Sequence, residues 1–335
     1  MIHPRTGLIG LAAAFALSAQ ASAAPLPPEM AAAVDREVMA VLAKTGAPSA
    51  SIAVVRDGEL AYAKAYGAAR LAPDLAAGPQ TRYAIGSISK QFTAAAVLLL
   101  AEDGKLSLDD PVGKYVPGLT DGDKVTLRQV LSHTAGYRDF WPQDYVPPEM
   151  LAPASHAQIL DKWAKVPLDF RPGDDWQYSN TGYTIAGMVV EKVSGMSLPA
   201  FEQKRIFTPL HMTGVTEVDT SALKAPDAAG YTRYALGPVR AAPKEGPGWL
   251  FAAGALAMRP TDLAIWNISQ IDRSLLRPAS YDQMRAPVVL NGGRSSGYGL
   301  GIFVEARDGR TMLEHGGEVS GFATENRVWP DQKAA

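Results

Sequence analysis

Ser87-Ile88-Ser89-Lys90 opens the run SISKQFTAAAVLLLAED, residues 87–103, and Gly104 closes it. The middle of this run is apolar on all sides, the mark of a helix buried in a core. Gly104 is a natural C-terminal stop. At a helix start, positions i and i+3 share a face, so Ser87 and Lys90 are expected side by side. The helix N-terminus brings unpaired N–H groups and a positive dipole end to Ser87. A lysine held in a buried site can lose its proton and serve as a base, which makes this a chemically sensible nucleophile–base pair. The spacing alone is weak support, and a capping serine explains it as well. Ser221-Ala222-Leu223-Lys224 repeats it, but Pro226 follows at once and no apolar helix does.

Working outward, Pro28 to Lys44 reads as a helix and Gly46 can stop it. Ser51–Val55 and Leu60–Tyr66 flank Asp57-Gly58, a strong hairpin signal. Further helices are expected at Leu127–Leu131, Ser155–Lys165, Thr181–Ser194, Leu198–Ile206 and Thr261–Gln270. Strand character returns at Gly299–Val304, Thr311–His315 and Ala323–Trp329. Strands at both ends with helices between predict an α+β fold. An antiparallel sheet is expected from residues 24–80 and 287–335, with flanking helices and a mostly helical lobe inserted over 81–286.

Two more patterns carry chemistry. Tyr178-Ser179-Asn180 holds one of only four asparagines. A tyrosine hydroxyl can shuttle a proton where a neighbouring ammonium lowers its pKa. Asparagine offers a substrate amide both a donor and an acceptor. A loop tyrosine followed by a helix cap reads equally well from these residues. His315-Gly316-Gly317 ends a strand, and its glycines let a ligand approach the backbone closely. A tight turn between strands is the plainer alternative. Lys44-Thr45-Gly46 looks like a further motif but is explained by helix capping. His133 precedes a turn and is expected to be structural. The sequon Asn267-Ile268-Ser269 falls inside a helix and is given no role.

Taken together and in this order, the three motifs resemble the serine β-lactamase and D-alanyl-D-alanine peptidase superfamily. The likeness is greatest to the branch with class C β-lactamases, D-aminopeptidases and family-VIII carboxylesterases. It extends through LSHTAG at 131–136, YSNTGYTIAGMVVEKVSG at 178–195, GLGI at 299–302 and HGGEVSGF at 315–322. The resemblance implies a β-lactamase/transpeptidase-like fold and an acyl-enzyme on Ser87. Lys90 and Tyr178 would handle the proton, and Asn180 would orient the acyl side chain. His315 and Gly317 would line the substrate site, and the backbone N–H groups of Ser87 and Glu318 would hold the oxyanion. Water would then free the product, with no metal or organic cofactor. D-peptides, β-lactams and small esters are the substrates implied. A sensor that acylates without useful turnover is the alternative, and an inactive fragment is a third reading.

Composition narrows the field. A hydrophobic share of 47% suits a globular core, and a net charge of -2 without a basic stripe excludes nucleic acid as an expected partner. Without cysteine there can be no disulfide or thiolate site. Arg5, the apolar stretch Gly7–Leu17 and Ala21-Ser22-Ala23 have the three-part pattern of a signal peptide over residues 1–23. An exported monomer, periplasmic or secreted and without a membrane span after leader removal, is expected. HExxH is missing from the sequence.

Two features depart from the family pattern. His315 stands where true β-lactamases commonly carry lysine, so a weaker grip on anionic substrates follows. After Ala323–Trp329 the relatives continue through another strand and a helix. A truncated product with unpaired strand edges is therefore expected. Tyr137, Trp141, Trp176, Tyr231 and Trp249 are candidates to line the pocket or to fill the core.

Overall fold

The computed structural model of the chain describes residues 24–141, 148–235 and 237–335; the expected leader, 1–23, lies outside them. Helix α1 (Pro28–Thr45) ends at Gly46, whose φ of 72° lets its N–H reach the Leu42 carbonyl. Lys44-Thr45-Gly46 is thus a helix terminus. Strands β1 (Ser49–Arg56) and β2 (Glu59–Leu71) pair antiparallel around Asp57-Gly58, both in the left-handed region that a two-residue hairpin requires. Strand β3 (Asp74–Ala76) extends this sheet, and β4 (Tyr83–Ala84) leads into the nucleophile turn.

Helix α2 (Ser89–Glu102) is buried at every residue from Ser89 to Leu100. That explains its uniformly apolar sequence, since no face of it meets water. Helices α3 (Leu127–Leu131) and α4 (His156–Trp163) both start with capping boxes, Thr126 with Gln129 and Ser155 with Gln158. Helix α5 (Asn180–Ser194) packs along α2, as does α6 (Leu198–Glu202), which continues as a π turn over Gln203–Phe207. Short strands β5 (Thr216–Glu217), β6 (Tyr231–Thr232) and β7 (Arg240–Ala241) follow, then α7 (Phe251–Gly254) and β8 (Leu256–Met258). β8 joins β4 and β5 in a small antiparallel sheet, and β6 pairs with β7.

Helices α8 (Pro260–Asp272) and α9 (Pro278–Arg285) lead to strands β9 (Phe303–Arg307), β10 (Arg310–Val319) and β11 (Phe322–Val328). β10 is the centre of that antiparallel sheet. β9 starts later than its sequence pattern suggests. Gly301, at φ 77°, turns the chain against the Lys90 carbonyl, where an added Cβ would lie 2.8 Å from the oxygen.

The sheet material does come from both chain ends, in two three-stranded ladders. Val55 and Ala335 join the ends by donating to each other's carbonyls at 2.8 and 3.1 Å. Elsewhere the facing edges of β1 and β11 flank a groove of about 410 Å³, with Leu263 and Ala264 of α8 at its base. Asn267 and Asn326 exchange amide hydrogen bonds of 2.7 and 3.0 Å and tie α8 to β11. The Asn267 sequon is therefore buried and engaged.

Candidate active site

Gly86–Ile88 forms a 3-10 turn that runs directly into α2. Gly86 has φ 51°, and a Cβ there would meet the Glu318 nitrogen at 2.6 Å. Only glycine lets β10 come this close to the turn carrying Ser87. Ser87, Tyr178, Asn180, His315, Gly317 and Glu318, the candidates that the sequence spreads over more than two hundred residues, line one cavity of about 940 Å³.

Lys90 lies behind that lining and is fully buried. Its Nζ donates to Ser87 Oγ at 3.0 Å, Asn180 Oδ1 at 2.7 Å and the Ala253 carbonyl at 2.8 Å. Burial pulls its pKa down to about 7, against the attraction of Asp139. The partners matter for what the neutral amine can do. Two of them, an amide oxygen and a carbonyl, only accept, so they hold the two remaining N–H bonds. The lone pair then points at Ser87, the one partner with a proton to give.

Tyr178 differs from its sequence expectation. Burial pushes its hydroxyl well above the tyrosine range, with Ser87 opposing the rise. The Lys90 ammonium sits over the ring face, 4.8 Å from its centroid. A cation so placed, in a site this dry, does not lower the phenol's pKa, and Tyr178 stays protonated. Its ring is wedged by His133 at a centroid distance of 4.2 Å. His133 Nδ1 accepts the Ser179 N–H at 3.0 Å, so the ring is neutral and has the packing role expected of it.

Asn180 begins α5 and is engaged at both ends of its amide. Oδ1 accepts from Lys90, and Nδ2 lies 3.1–3.2 Å from the Asp139 carboxylate. Asn180 is therefore first a bridge between Lys90 and Asp139. Asp139 also accepts the backbone N–H groups of Asn180 and Trp141, while burial raises its pKa. Its sequence context carries no motif. The Ala253 carbonyl is equally invisible in sequence, since it is a backbone group of the four-residue helix α7.

His315 is 2% exposed. The Gly316 carbonyl only accepts, so Nδ1 carries the proton, at 2.5 Å, and Nε2 accepts the Tyr298 hydroxyl at 2.9 Å. Burial, with Lys90 nearby, drops its pKa to about 3, leaving a neutral ring. Of the five aromatic candidates only Trp141 lines the cavity, joined by Phe303 and Tyr234. Tyr137 and Trp249 are buried in the core, with Tyr137 Oη donating to the Thr120 carbonyl and Trp249 Nε1 to that of Ala152. Trp176 packs against His133, Tyr178 and Tyr298. The Tyr231 hydroxyl accepts the Leu71 N–H.

An α+β frame that seats a serine–lysine pair at a buried helix start is the arrangement implied by the sequence resemblance. The Beta-lactamase family model matches residues 34–335, and the chain belongs to the beta-lactamase family. It is 32% identical over 211 residues to Protein flp of Staphylococcus aureus (strain NCTC 8325 / PS 47), a match over 61% of this chain and 41% of that protein. The chain thus spans about two fifths of that relative's length. Among solved structures it is similar to the octameric penicillin-binding protein homologue from Pyrococcus abyssi. The TM-score there is 0.77 at 27% identity, covering 91% of this chain and 72% of that one. It is similar also to the D-stereospecific amidohydrolase from Streptomyces sp., with TM-score 0.77 and 29% identity over 90% and 92% of the two chains. Family and fold support a hydrolase. No helix among the described residues is long and apolar enough to cross a membrane. The expected monomer finds no support in these likenesses, the Pyrococcus protein being octameric.

Proposed function

We propose that the protein is a serine hydrolase that forms an acyl-enzyme on Ser87, acting on small amides and esters of D-amino acids. The observation that carries this is the 3.0 Å contact between Ser87 Oγ and a fully buried Lys90. Ser87 Oγ attacks the carbonyl carbon and its proton passes to neutral Lys90. The backbone N–H groups of Ser87 and Glu318 receive the oxyanion. Lys90 and the Tyr178 hydroxyl share the work of passing the Ser87 proton on to the departing amine or alkoxide. Water then attacks the ester, and the reverse transfer restores Ser87.

The substrate class follows from charge. The cavity lining holds Glu318 and Glu325, a neutral His315, and no lysine or arginine among its described residues. That disfavours a substrate carboxylate and suits a free amino group. The likeness to a D-stereospecific amidohydrolase supports the same class. The test is the intact mass of the protein after exposure to a D-phenylalanine aryl ester, with a fluorescent penicillin in parallel. One acyl group on Ser87 is expected, absent in Ser87→Ala, and its lifetime separates an enzyme from a slow acceptor. Equal labelling of the Ser87→Ala protein sinks the reading.

A pH profile follows from Lys90. Its pKa falls from 10.5 to about 7, and only the neutral amine takes the proton. Acylation is therefore slow below pH 7, rises through it and is level by about pH 8–9, with the rate at pH 6 about tenfold below the plateau. Single-turnover rates across pH 5–10 check this. A limb near 10, where an ordinary lysine titrates, rules out the buried base.

A further inference from the structure

We propose that the cleft on the far side of α7 from Ser87 is a second binding site, for a small cationic amphiphile: a primary ammonium carried on an aromatic or alkyl body. The cleft measures about 550 Å³ and is walled by α4, α5, α6, the segment after β5 and the outer face of α7. That is the size of an ordinary small-molecule site. Its lining includes four carboxylates and, among the described residues, no lysine or arginine.

Three of the carboxylates are already used by the protein. Glu191 accepts the Leu198 N–H at 3.0 Å, and Asp219 accepts those of Gly248 and Leu250, both at 3.0 Å. Glu217 accepts from Asp219, and from the N–H and hydroxyl of Thr220. Glu202 differs. It is 3% exposed, borders the cleft, and makes no hydrogen bond or ion pair with any described residue. Burial alone raises its pKa, to about 8. The other titratable group in the cleft, His156, stacks on Phe251 at 3.8 Å and is kept from charging by burial. Burial thus leaves Glu202 largely protonated at neutral pH, and no described side chain of the cleft supplies a cation beside which it would ionise; an entering ammonium would supply that partner. Phe251, Leu198 and Leu256 offer the apolar wall for the rest of such a ligand.

The position couples the cleft to the nucleophile. Ala253 and Gly254 of α7 line the Ser87 cavity, while Phe251 and the following Ala255 line the cleft. The carbonyl of Ala253 holds Lys90, and that of Ala252 accepts from Thr93 at 2.8 Å. Phe251 has a positive φ of 30°, a conformation non-glycine residues rarely take. A ligand pressing on Phe251 moves the carbonyl that holds Lys90 and so alters acylation. This coupling rests on the proposed role of Ser87; the binding does not.

The experiment is calorimetric titration of the whole chain with 4-bromophenethylammonium, with 2-phenylethanol and phenylacetate as comparators. Saturable one-to-one binding is expected for the ammonium. It is at least tenfold weaker for the alcohol and for Glu202→Gln, undetected for phenylacetate, and unchanged in Ser87→Ala. The acylation rate of the native protein then shifts with occupancy. Equal affinity in Glu202→Gln, loss of binding in Ser87→Ala or no saturable binding overturns the site. Should Glu202→Gln fail to fold, anomalous scattering from bromine in a soaked native crystal decides. Density beside Glu202 supports the site, and density confined to the Ser87 cavity or none refutes it.

Discussion

Lys90→Arg will slow acylation of Ser87 by roughly 10²–10⁴-fold and erase the acid limb near pH 7. Arginine can still donate to Asn180 Oδ1 and the Ala253 carbonyl, which now accept from lysine at 2.7 and 2.8 Å. It cannot lose a proton in this range, so the lone pair that faces Ser87 disappears. Alanine would be a poorer test, because it leaves two buried acceptors without a donor as well as removing the base. The larger guanidinium has a cost of its own. Lys90 is 0% exposed, and overfilling a packed site destabilises by about 1–3 kcal/mol. The melting temperature should therefore fall, while near-ultraviolet circular dichroism at 20 °C should match the parent's. Single-turnover acylation is the deciding readout. If the arginine protein keeps the parent's rate and its limb near pH 7, Lys90 is outside the proton path.

This network also shows where the sequence could be read and where it could not. Ser87 and Lys90 were legible because a helix start fixes the geometry of i and i+3, and the apolar run behind them announces burial. Most long elements were legible on the same grounds, from α2 to the hairpin of β1 and β2, but α9 was not expected and β9 begins later than its pattern suggests. Strands β4, β5 and β8 have two or three residues each, too few to show any period. Asp139 was missed because nothing local distinguishes a loop carboxylate that will meet a helix N-terminus forty residues on. The Ala253 contact was missed because its chemistry is in the backbone. Tyr178 was found, but the sign of its pKa shift was not readable. That sign depends on how dry the site is and on which part of the ring the ammonium approaches, both set by packing. His315 shows the opposite case. The weaker grip on anionic substrates expected of it rests on an imidazole that is mostly neutral at pH 7 even when unperturbed, and burial with Lys90 nearby drives it much further the same way.

Gly317→Ala will reduce kcat/KM by about 10²–10³-fold, the usual loss when one oxyanion donor is withdrawn. The adjacent Gly316→Ala will stay close to the parent. An added Cβ on Gly317 would lie 1.9 Å from the Ile85 carbonyl oxygen, 2.9 Å from its carbon and 3.2 Å from the Ser87 nitrogen. All three are backbone atoms at the nucleophile turn, so no side chain can swing aside. Strand β10 must draw back, taking the Glu318 N–H with it, and the pair of N–H groups facing the carbonyl opens. The strain should also cost about 1–3 kcal/mol, read as a lower melting temperature. At Gly316 the same Cβ finds only Glu325 Oε2 at 3.6 Å and the Thr324 carbonyl at 3.9 Å, ordinary contacts on the exposed face of the strand. Alternation along β10 thus places two neighbouring glycines in opposite environments. The readouts are kcat and KM for a D-amino-acid ester together with thermal melts for both variants. A Gly317→Ala protein with normal kcat but a lower melting temperature would mean that Glu318 contributes no oxyanion donor. Equal loss in both variants would mean that room for substrate, rather than the approach of β10 to Ser87, is what these glycines secure.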